Sequence, residues 1–271
     1  MNPIELAQEA ARIGADVLLR HWEVLNKDDA DLKARNDWVS RADRESEEAI
    51  VTFLRAHRPE DDFLGEEGGR MIASAPDGTK GGTWVIDPLD GTSNYLQHFP
   101  FWSVSIAYRE GNEVTVGVVY EPIRQMMFAA EKGAGAFRNG NRMQVSTHEK
   151  IEGSFLATGF PFRAQKFVSV YCAIFQEVIS VSKGVRRAGS AALDLAYTAA
   201  GVFDGFFELH LAPWDIAAGA LLVQEAGGRV SDFSGGSSFW TRGNIIGASP
   251  GVHEDLIAMV SRHVREDQLD R

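Results

Sequence analysis

Three short stretches of this 271-residue chain set carboxylates among glycine, proline and apolar residues, surroundings in which ionised side chains are scarce unless something pairs with them. They are Gly65-Glu66-Glu67-Gly68-Gly69, Trp84-Val85-Ile86-Asp87-Pro88-Leu89-Asp90-Gly91-Thr92 and Pro213-Trp214-Asp215-Ile216-Ala217-Ala218-Gly219. Taken singly, Glu66-Glu67 reads as a solvated turn, and Asp215 as a helix cap or a first-turn partner of the helix dipole. Asp87 and Asp90 resist so plain a reading, because an apolar strand runs straight into two acids flanking a rigid proline. Together the stretches supply four or five hard oxygen ligands and no soft ones, a donor set that suits Mg²⁺. Packing that many anions side by side without a cation would be prohibitive, so their grouping would itself require a divalent metal. Thr92 and Ser93 follow Gly91; a helix starting there would offer free N–H groups to an anion beside the metal. A cation, a helix N-terminus and a hydroxyl are the equipment of phosphoryl transfer to water.

The elements that must position these residues are legible from periodicity. Asn2-Pro3 makes an N-cap and N1 pair, followed at helical spacing by Leu6, Ala10, Ile13 and Val17. A second helix is expected to start near Ser40 to Asp43, bury Ile50, Phe53 and Leu54, and end before Pro59. β-like runs at 84–86, 103–108, 114–120 and 125–130 follow, with turn signals at Glu110-Gly111-Asn112 and Asn139-Gly140-Asn141. Pro100 would end the short helix after Gly91. Beyond residue 150 the expectation is strand 154–158, helix 168–182, helix 191–200, strand 206–208, helix 216–226 stopped by Gly227-Gly228, a strand at Ile245-Ile246, and a closing helix 253–264. This mixed α/β (α+β) pattern suggests two halves packed as one compact unit. Residues 1–150 would carry most metal ligands, and residues 151–271 would carry Asp215 and the substrate contacts.

Composition narrows the chemistry. The 27 Lys+Arg against 38 Asp+Glu leave a formal charge of −11, which argues against a general nucleic-acid surface, since phosphate backbones are bound through clustered Lys and Arg. An anionic substrate would need a bound cation to attract it. No apolar run approaches the roughly 20 residues of a membrane span, and the first residues lack the apolar core of a signal peptide. The lone Cys172 excludes an internal disulfide and a cysteine-based zinc cluster, and reads as a small buried hydrophobe. These features lead to the expectation of a cytoplasmic protein without membrane attachment.

At this point the motifs resemble a known family. The segments 65–69, 84–107 (WVIDPLDGTSNYLQHFPFWSVSIA) and 213–228 (PWDIAAGALLVQEAGG) are similar to the inositol monophosphatase family of Mg²⁺-dependent, Li⁺-sensitive phosphatases. So are Lys33-x-x-x-Asp37-x-Val39-Ser40-x-x-Asp43 and Arg186-Arg187-Ala188-Gly189-Ser190-Ala191-Ala192-Leu193-Asp194. The resemblance is nearest to the bacterial branch of the family. It implies a layered αβαβα sandwich, commonly a homodimer. It implies that Glu66, Asp87 and the Leu89 carbonyl hold one Mg²⁺, that Asp87, Asp90 and Asp215 hold a second, and that Glu66 helps with a weaker third. Mn²⁺ would substitute, and Li⁺ and Ca²⁺ would inhibit. Thr92, hydrogen-bonded to Asp43, would orient the attacking water, while the amides of Gly91 and Thr92 bind phosphate oxygens. Glu67 and Lys33 would lie near the metals. Substrate hydroxyls would meet Asp90, Gly189, Ser190, Ala191 and Glu208. Two positions depart from the family: Gly68 replaces a frequent Ser or Thr, and Ser40 replaces Thr while keeping the hydroxyl.

The expected substrate is a small polyol or sugar phosphate, myo-inositol 1-phosphate by default. Relatives also hydrolyse fructose 1,6-bisphosphate, histidinol phosphate and 3′-phosphoadenosine 5′-phosphate; the insertions and basic pocket suited to the nucleotide are not evident. Substrate choice is expected to lie in segments 159–170 and 206–212, with His210 read as a packing or surface residue. A haloacid-dehalogenase-like mechanism, with a nucleophilic Asp in Asp-x-Asp-Gly-Thr, fits poorly, because Asp87-x-x-Asp90 is one residue longer and holds a proline. Neither a Ca²⁺-binding loop nor a nucleotide-kinase phosphate loop is present. The alternative outside enzymology is a regulatory scaffold, and the bacterial branch allows association with RNA polymerase alongside catalysis.

Overall fold

The computed structural model describes residues 1–22, 31–34, 37–39, 41–73, 81–162, 164–265 and 268–269. Helix α1 (Pro3–His21) starts as Asn2-Pro3 predicts. The Asn2 side chain accepts the Glu5 amide at 3.0 Å, and Glu5 accepts the Asn2 amide in return, a capping box. Strands β1 (Asp31–Ala34) and β2 (Asp37–Val39) pair antiparallel ahead of α2 (Arg41–His57). Ser40 lies outside the described residues, as does the side chain of Lys33, whose backbone belongs to β1.

An eight-stranded sheet is built from β3 (Asp62–Gly65), β4 (Gly69–Met71), β5 (Thr83–Asp90), β6 (Ser103–Glu110), β7 (Glu113–Glu121), β8 (Met126–Glu131), β9 (Gly135–Arg138) and β10 (Asn141–Arg142). Its order is β10-β9-β8-β7-β6-β5-β3-β4, and the single-turn helix α3 (Thr92–Leu96) is inserted between β5 and β6. The rest of the chain runs β11 (Phe155–Thr158), α4 (Val168–Val181), β12 (Gly184–Arg186), α5 (Ala191–Ala199), β13 (Gly205–Glu208), α6 (Pro213–Glu225), β14 (Arg229–Ser231), α7 (Phe239–Arg242), β15 (Ile245–Ala248) and α8 (Pro250–His263). Its five strands form a second sheet in the order β12-β11-β13-β15-β14.

Alternation along the larger sheet divides its side chains between two cores. Trp84, Ile86, Ile106 and Val118 face α1 and α2, while their neighbours Val85, Ala107 and Val119 face α5 and α6, the period of two that a pleated strand imposes. The smaller sheet lies on the far side of α5 and α6, and α4 and α8 cover its outer face. The layers therefore read αβαβα, the sandwich that the motifs implied. Helix α6 shows why: every residue from Ile216 to Val223 is buried, the mark of a helix enclosed all round.

Helices α6 and α8 begin at Pro213 and Pro250, three residues before the expected starts at 216 and 253, because a proline at the first helical turn presets φ and gives up an N–H with no partner. Cys172, expected inside, is exposed. It falls off the buried stripe of α4, which consists of Tyr171, Ile174 and Val178. No helix among the described residues is long and apolar enough to cross a membrane.

Candidate active site

Asp87 and Asp90 are three residues apart, a separation that would put them on opposite faces of a regular strand. The β5–β6 register is irregular between them: Asp87 pairs with Ser105 and Asp90 with Ser103. The extra residue, in a segment where Pro88 has no amide to donate, is a bulge that flips the parity and turns both carboxyls to the same side. Asp215, in the first turn of α6, comes from the helix layer beneath; its carboxyl accepts the Ala212 amide at 2.6 Å. One ligand atom from each of Asp87, Asp90 and Asp215 lies within 4.8 Å of the others, and all three residues are buried.

Glu66 reaches the same place from the β3–β4 hairpin, whose turn is tied to β5 by the Glu66 amide donating to the Ile86 carbonyl at 3.2 Å. The hairpin is held from below by Glu47 of α2, only 4% exposed, which accepts the amides of Glu67 at 3.0 Å and Gly68 at 2.6 Å. Glu66 lines the cleft along with the three aspartates, while Glu67 is not among the lining residues. The reading of Glu66 as a solvated turn residue is therefore replaced by a place in the cleft wall.

Electrostatics follow from this crowding. Burial, then the charges of Glu66, Asp90 and Asp215, push the Asp87 carboxyl well above the usual carboxylate range. Burial and Asp215 raise Asp90 to about 7, against hydrogen bonds from Ser190 and Ala192. Those bonds are short: the Ser190 hydroxyl at 2.5 Å and the Ala192 amide at 2.7 Å, both to Oδ2. Carboxyls so arranged hold protons or a cation, since bare like charges cannot share a buried site. Hard oxygens converging from three segments fit a divalent ion such as Mg²⁺.

Around this cluster, Gly91 takes φ 101° and Gly189 φ 96°, left-handed values that cost a side-chain-bearing residue most. A Cβ on Gly91 would stand 3.2 Å from the Gly189 carbonyl, so the turn into α3 and the loop before α5 close on each other only as glycines. Asn94 locks this approach, donating to the carbonyls of Phe101 at 2.7 Å and Ala188 at 2.9 Å. The Thr92 hydroxyl has two acceptors, Asp43 Oδ1 at 3.1 Å and the Leu89 carbonyl at 3.2 Å. Asp43 itself is buried behind Thr92 and does not line the cleft.

The cleft measures about 370 Å³ and joins two ends. Glu66, Asp87, Leu89, Asp90, Thr92 and Asp215 line one; Gly159, Phe160, Phe162, Arg187, Asp194 and Glu208 line the other. Gly91, Gly189, Ser190 and Ala191 also lie in its wall. His210, read from sequence as packing or surface, lines the cleft, its ring stacked 4.5 Å from that of Phe167. Sequence reading gave no role to Glu47 or Asp194. Glu47 sits in an acid-rich helix that looks like a solvated face. Asp194, flanked by Leu193 and Leu195, carries the same signal that singled out Asp215: an acid in an apolar helix.

The sequence model of the inositol monophosphatase family matches residues 2–266. The chain belongs to that family. It is 42% identical over 272 residues to the Nus factor SuhB of Escherichia coli K12, covering 100% of each chain. To the Nus factor SuhB of Pseudomonas aeruginosa it is 41% identical, over 97% of this chain and 98% of that one. Among solved structures, the extragenic suppressor protein suhB of Bartonella henselae superposes with a TM-score of 0.89 at 38% identity, covering 96% of this chain and 98% of that one. The Thermotoga maritima IMPase superposes with a TM-score of 0.86 at 32% identity, covering 99% and 100%. The inositol monophosphatase family fold and the buried acidic cluster thus occur together in this chain.

Proposed function

We propose that this chain is a Mg²⁺-dependent phosphomonoesterase that releases phosphate from a small polyol or sugar phosphate, myo-inositol 1-phosphate first, by direct attack of water. The observation that carries this reading is the mutual approach of Asp87, Asp90 and Asp215 to within 4.8 Å in a buried cleft. Glu66, Asp87 and the Leu89 carbonyl would hold one cation, Asp87, Asp90 and Asp215 a second, and Glu66 would help with a third. Bound there, Mg²⁺ supplies Lewis acidity toward phosphoryl oxygens and neutralises the carboxylates.

The protein's own part is positioning. Thr92 has one hydroxyl proton and two acceptors for it, Asp43 and the Leu89 carbonyl. Its oxygen is left to accept a hydrogen from the attacking water and to fix that water's direction. Amides of Gly91 and Thr92 receive phosphate oxygens; α3 is a single turn, so the local amides matter here rather than a long helix dipole. Asp90, Gly189, Ser190, Ala191 and Glu208 would meet the alcohol, and the resemblance implies a supporting part near the metals for Lys33 and Glu67. The enzyme would work as a cytoplasmic homodimer, accept Mn²⁺, and be inhibited by Li⁺ and Ca²⁺. Within the family, fructose 1,6-bisphosphate, histidinol phosphate and 3′-phosphoadenosine 5′-phosphate are the alternative substrates.

A phosphomonoester panel assayed with Mg²⁺, with chelator and with Li⁺ tests this reading. Phosphate release from polyol monophosphates that needs Mg²⁺ supports it; no release from any monoester refutes it. Single turnover in ¹⁸O-water should place label in free phosphate and none on a carboxylate of the protein. Full-length identity of 42% to proteins named Nus factor SuhB supports a second role, binding to the transcription machinery. Direct binding of purified RNA polymerase to the immobilised protein would bear that out, and its absence at micromolar concentration would count against it.

A further inference from the structure

The cleft end away from the aspartate cage holds a second pair of carboxyls, Asp194 and Glu208. Glu208, at the end of β13, is packed directly against Gly159: a Cβ there would lie 2.0 Å from the Glu208 carboxyl carbon. Glycine at 159 is thus what leaves room for that carboxyl in the wall. Asp194 projects from the first turn of α5 and is 1% exposed, yet its Oδ1 has no hydrogen-bond partner among the described residues. Buried polar atoms are almost always satisfied, and an unsatisfied one calls for a reason. Beside them the Arg187 guanidinium sits over the rings of Phe160 at 5.8 Å and Phe162 at 5.2 Å, a stacked position that favours arginine.

Resting on the phosphatase reading above, we propose that Asp194 is a specificity-determining residue: with Glu208 it forms a two-carboxyl subsite for adjacent hydroxyls of the alcohol being released, which selects polyols over alcohols without further hydroxyls. A carboxyl accepts hydrogen bonds from hydroxyls, so two at one end of a cleft favour an alcohol that carries further hydroxyls. Burial and the charges of Glu208 and Asp90 raise the Asp194 carboxyl well above its ordinary range, against Arg187. Sites built to satisfy a hydroxyl discriminate steeply against analogues that lack it, because the buried group is then left unpaired.

The test compares myo-inositol 1-phosphate with phenyl phosphate, which offers the same phosphate and no hydroxyls. Calorimetric titration in Ca²⁺ measures binding, and steady-state kinetics in Mg²⁺ measure kcat/KM, for the wild type, Asp194→Ala and Asp194→Asn. The wild type should prefer the polyol, and Asp194→Ala should cut that preference about tenfold or more, with Asp194→Asn between the two. Should the alanine variant fail to fold, the asparagine variant and the wild-type preference decide. Equal weakening of both ligands, or no wild-type preference, overturns the subsite. A preference in binding that depends on Asp194, without phosphate release from either ester, upholds the subsite and overturns the phosphatase reading instead.

Discussion

The two ends of the cleft are built on different principles. At the acidic end every aspartate is fixed by donors from its surroundings: Asp87 by the Leu89 amide at 3.0 Å, Asp90 by Ser190 and Ala192, and Asp215 by the Ala212 amide. Those residues come from the C-terminal half of β5 and the first turn of α6, elements clamped between layers. At the other end Glu208 closes β13, the central strand of the smaller sheet, Asp194 stands in the first turn of α5, and Arg187, Phe160 and Phe162 come from the loops after β12 and β11. There Glu208 leans on a glycine, Arg187 on two rings, and Asp194 leaves an oxygen without a hydrogen-bond partner among the described residues. The contrast teaches where chemistry and choice reside. A site that must orient charge within a few tenths of an ångström has its carboxyls held by donors on rigid elements, while the end proposed to meet the alcohol keeps polar capacity in reserve.

That contrast can be broken from either side. Replacing a member of the cage, Asp90→Asn, should lower Mg²⁺-dependent kcat by ~10³-fold or more with the fold retained by circular dichroism; near-normal turnover would remove Asp90 from its role. Thr92→Ala, which spares the carboxyls and removes the hydroxyl that orients water, should cost ~10²-fold in kcat with little change in KM. Glu47→Ala should cost roughly 10–100-fold, because the hairpin carrying Glu66 loses the acceptor for two of its amides. The loss should appear chiefly as weaker Mg²⁺ activation, seen as a higher metal concentration at half-maximal rate. Change at the alcohol end should be milder and substrate-dependent, as expected for Asp194.

A site remote from both ends supplies the contrasting case. His253, on α8 behind the smaller sheet, has its Nε2 2.9 Å from the Ser231 hydroxyl, and burial with nearby Arg229 holds it down at about 4. An unfolded histidine titrates near 6.5, so between those values the unfolded chain binds the proton and the folded one does not. The stabilisation is present above about pH 6.5 and is lost as pH falls toward 4. The difference in urea stability between wild type and His253→Gln should shrink over that window by roughly 1–2 kcal/mol, with the substrate preference unmoved.

Much of the cage was legible in the chain itself, for a physical reason. Charged residues embedded in an apolar strand or helix are anomalies, and Asp87, Asp90 and Asp215 are such residues in the sequence. The sandwich is implied by the family resemblance alone; in the structure α6, buried on every face from Ile216 to Val223, shows why layers stand on both sides of it. What could not be read were contacts made across the fold. The β-bulge that turns Asp87 and Asp90 to one side depends on pairing with β6. Glu47 serves its hairpin from a different helix, and in sequence it is one acid among several on an amphipathic surface. The two- to four-residue strands β3, β4, β9, β10, β12 and β14 lack the compact apolar runs that mark the equally short β11, β13 and β15.

The central claim is that Asp87, Asp90 and Asp215 are a cage for divalent cations. Crystals soaked in Mn²⁺ and measured for anomalous scattering test it most directly. A strong peak is expected within coordinating distance of oxygens from all three aspartates, displaced by excess Mg²⁺. Ordered, intact aspartates with no peak between them would contradict it.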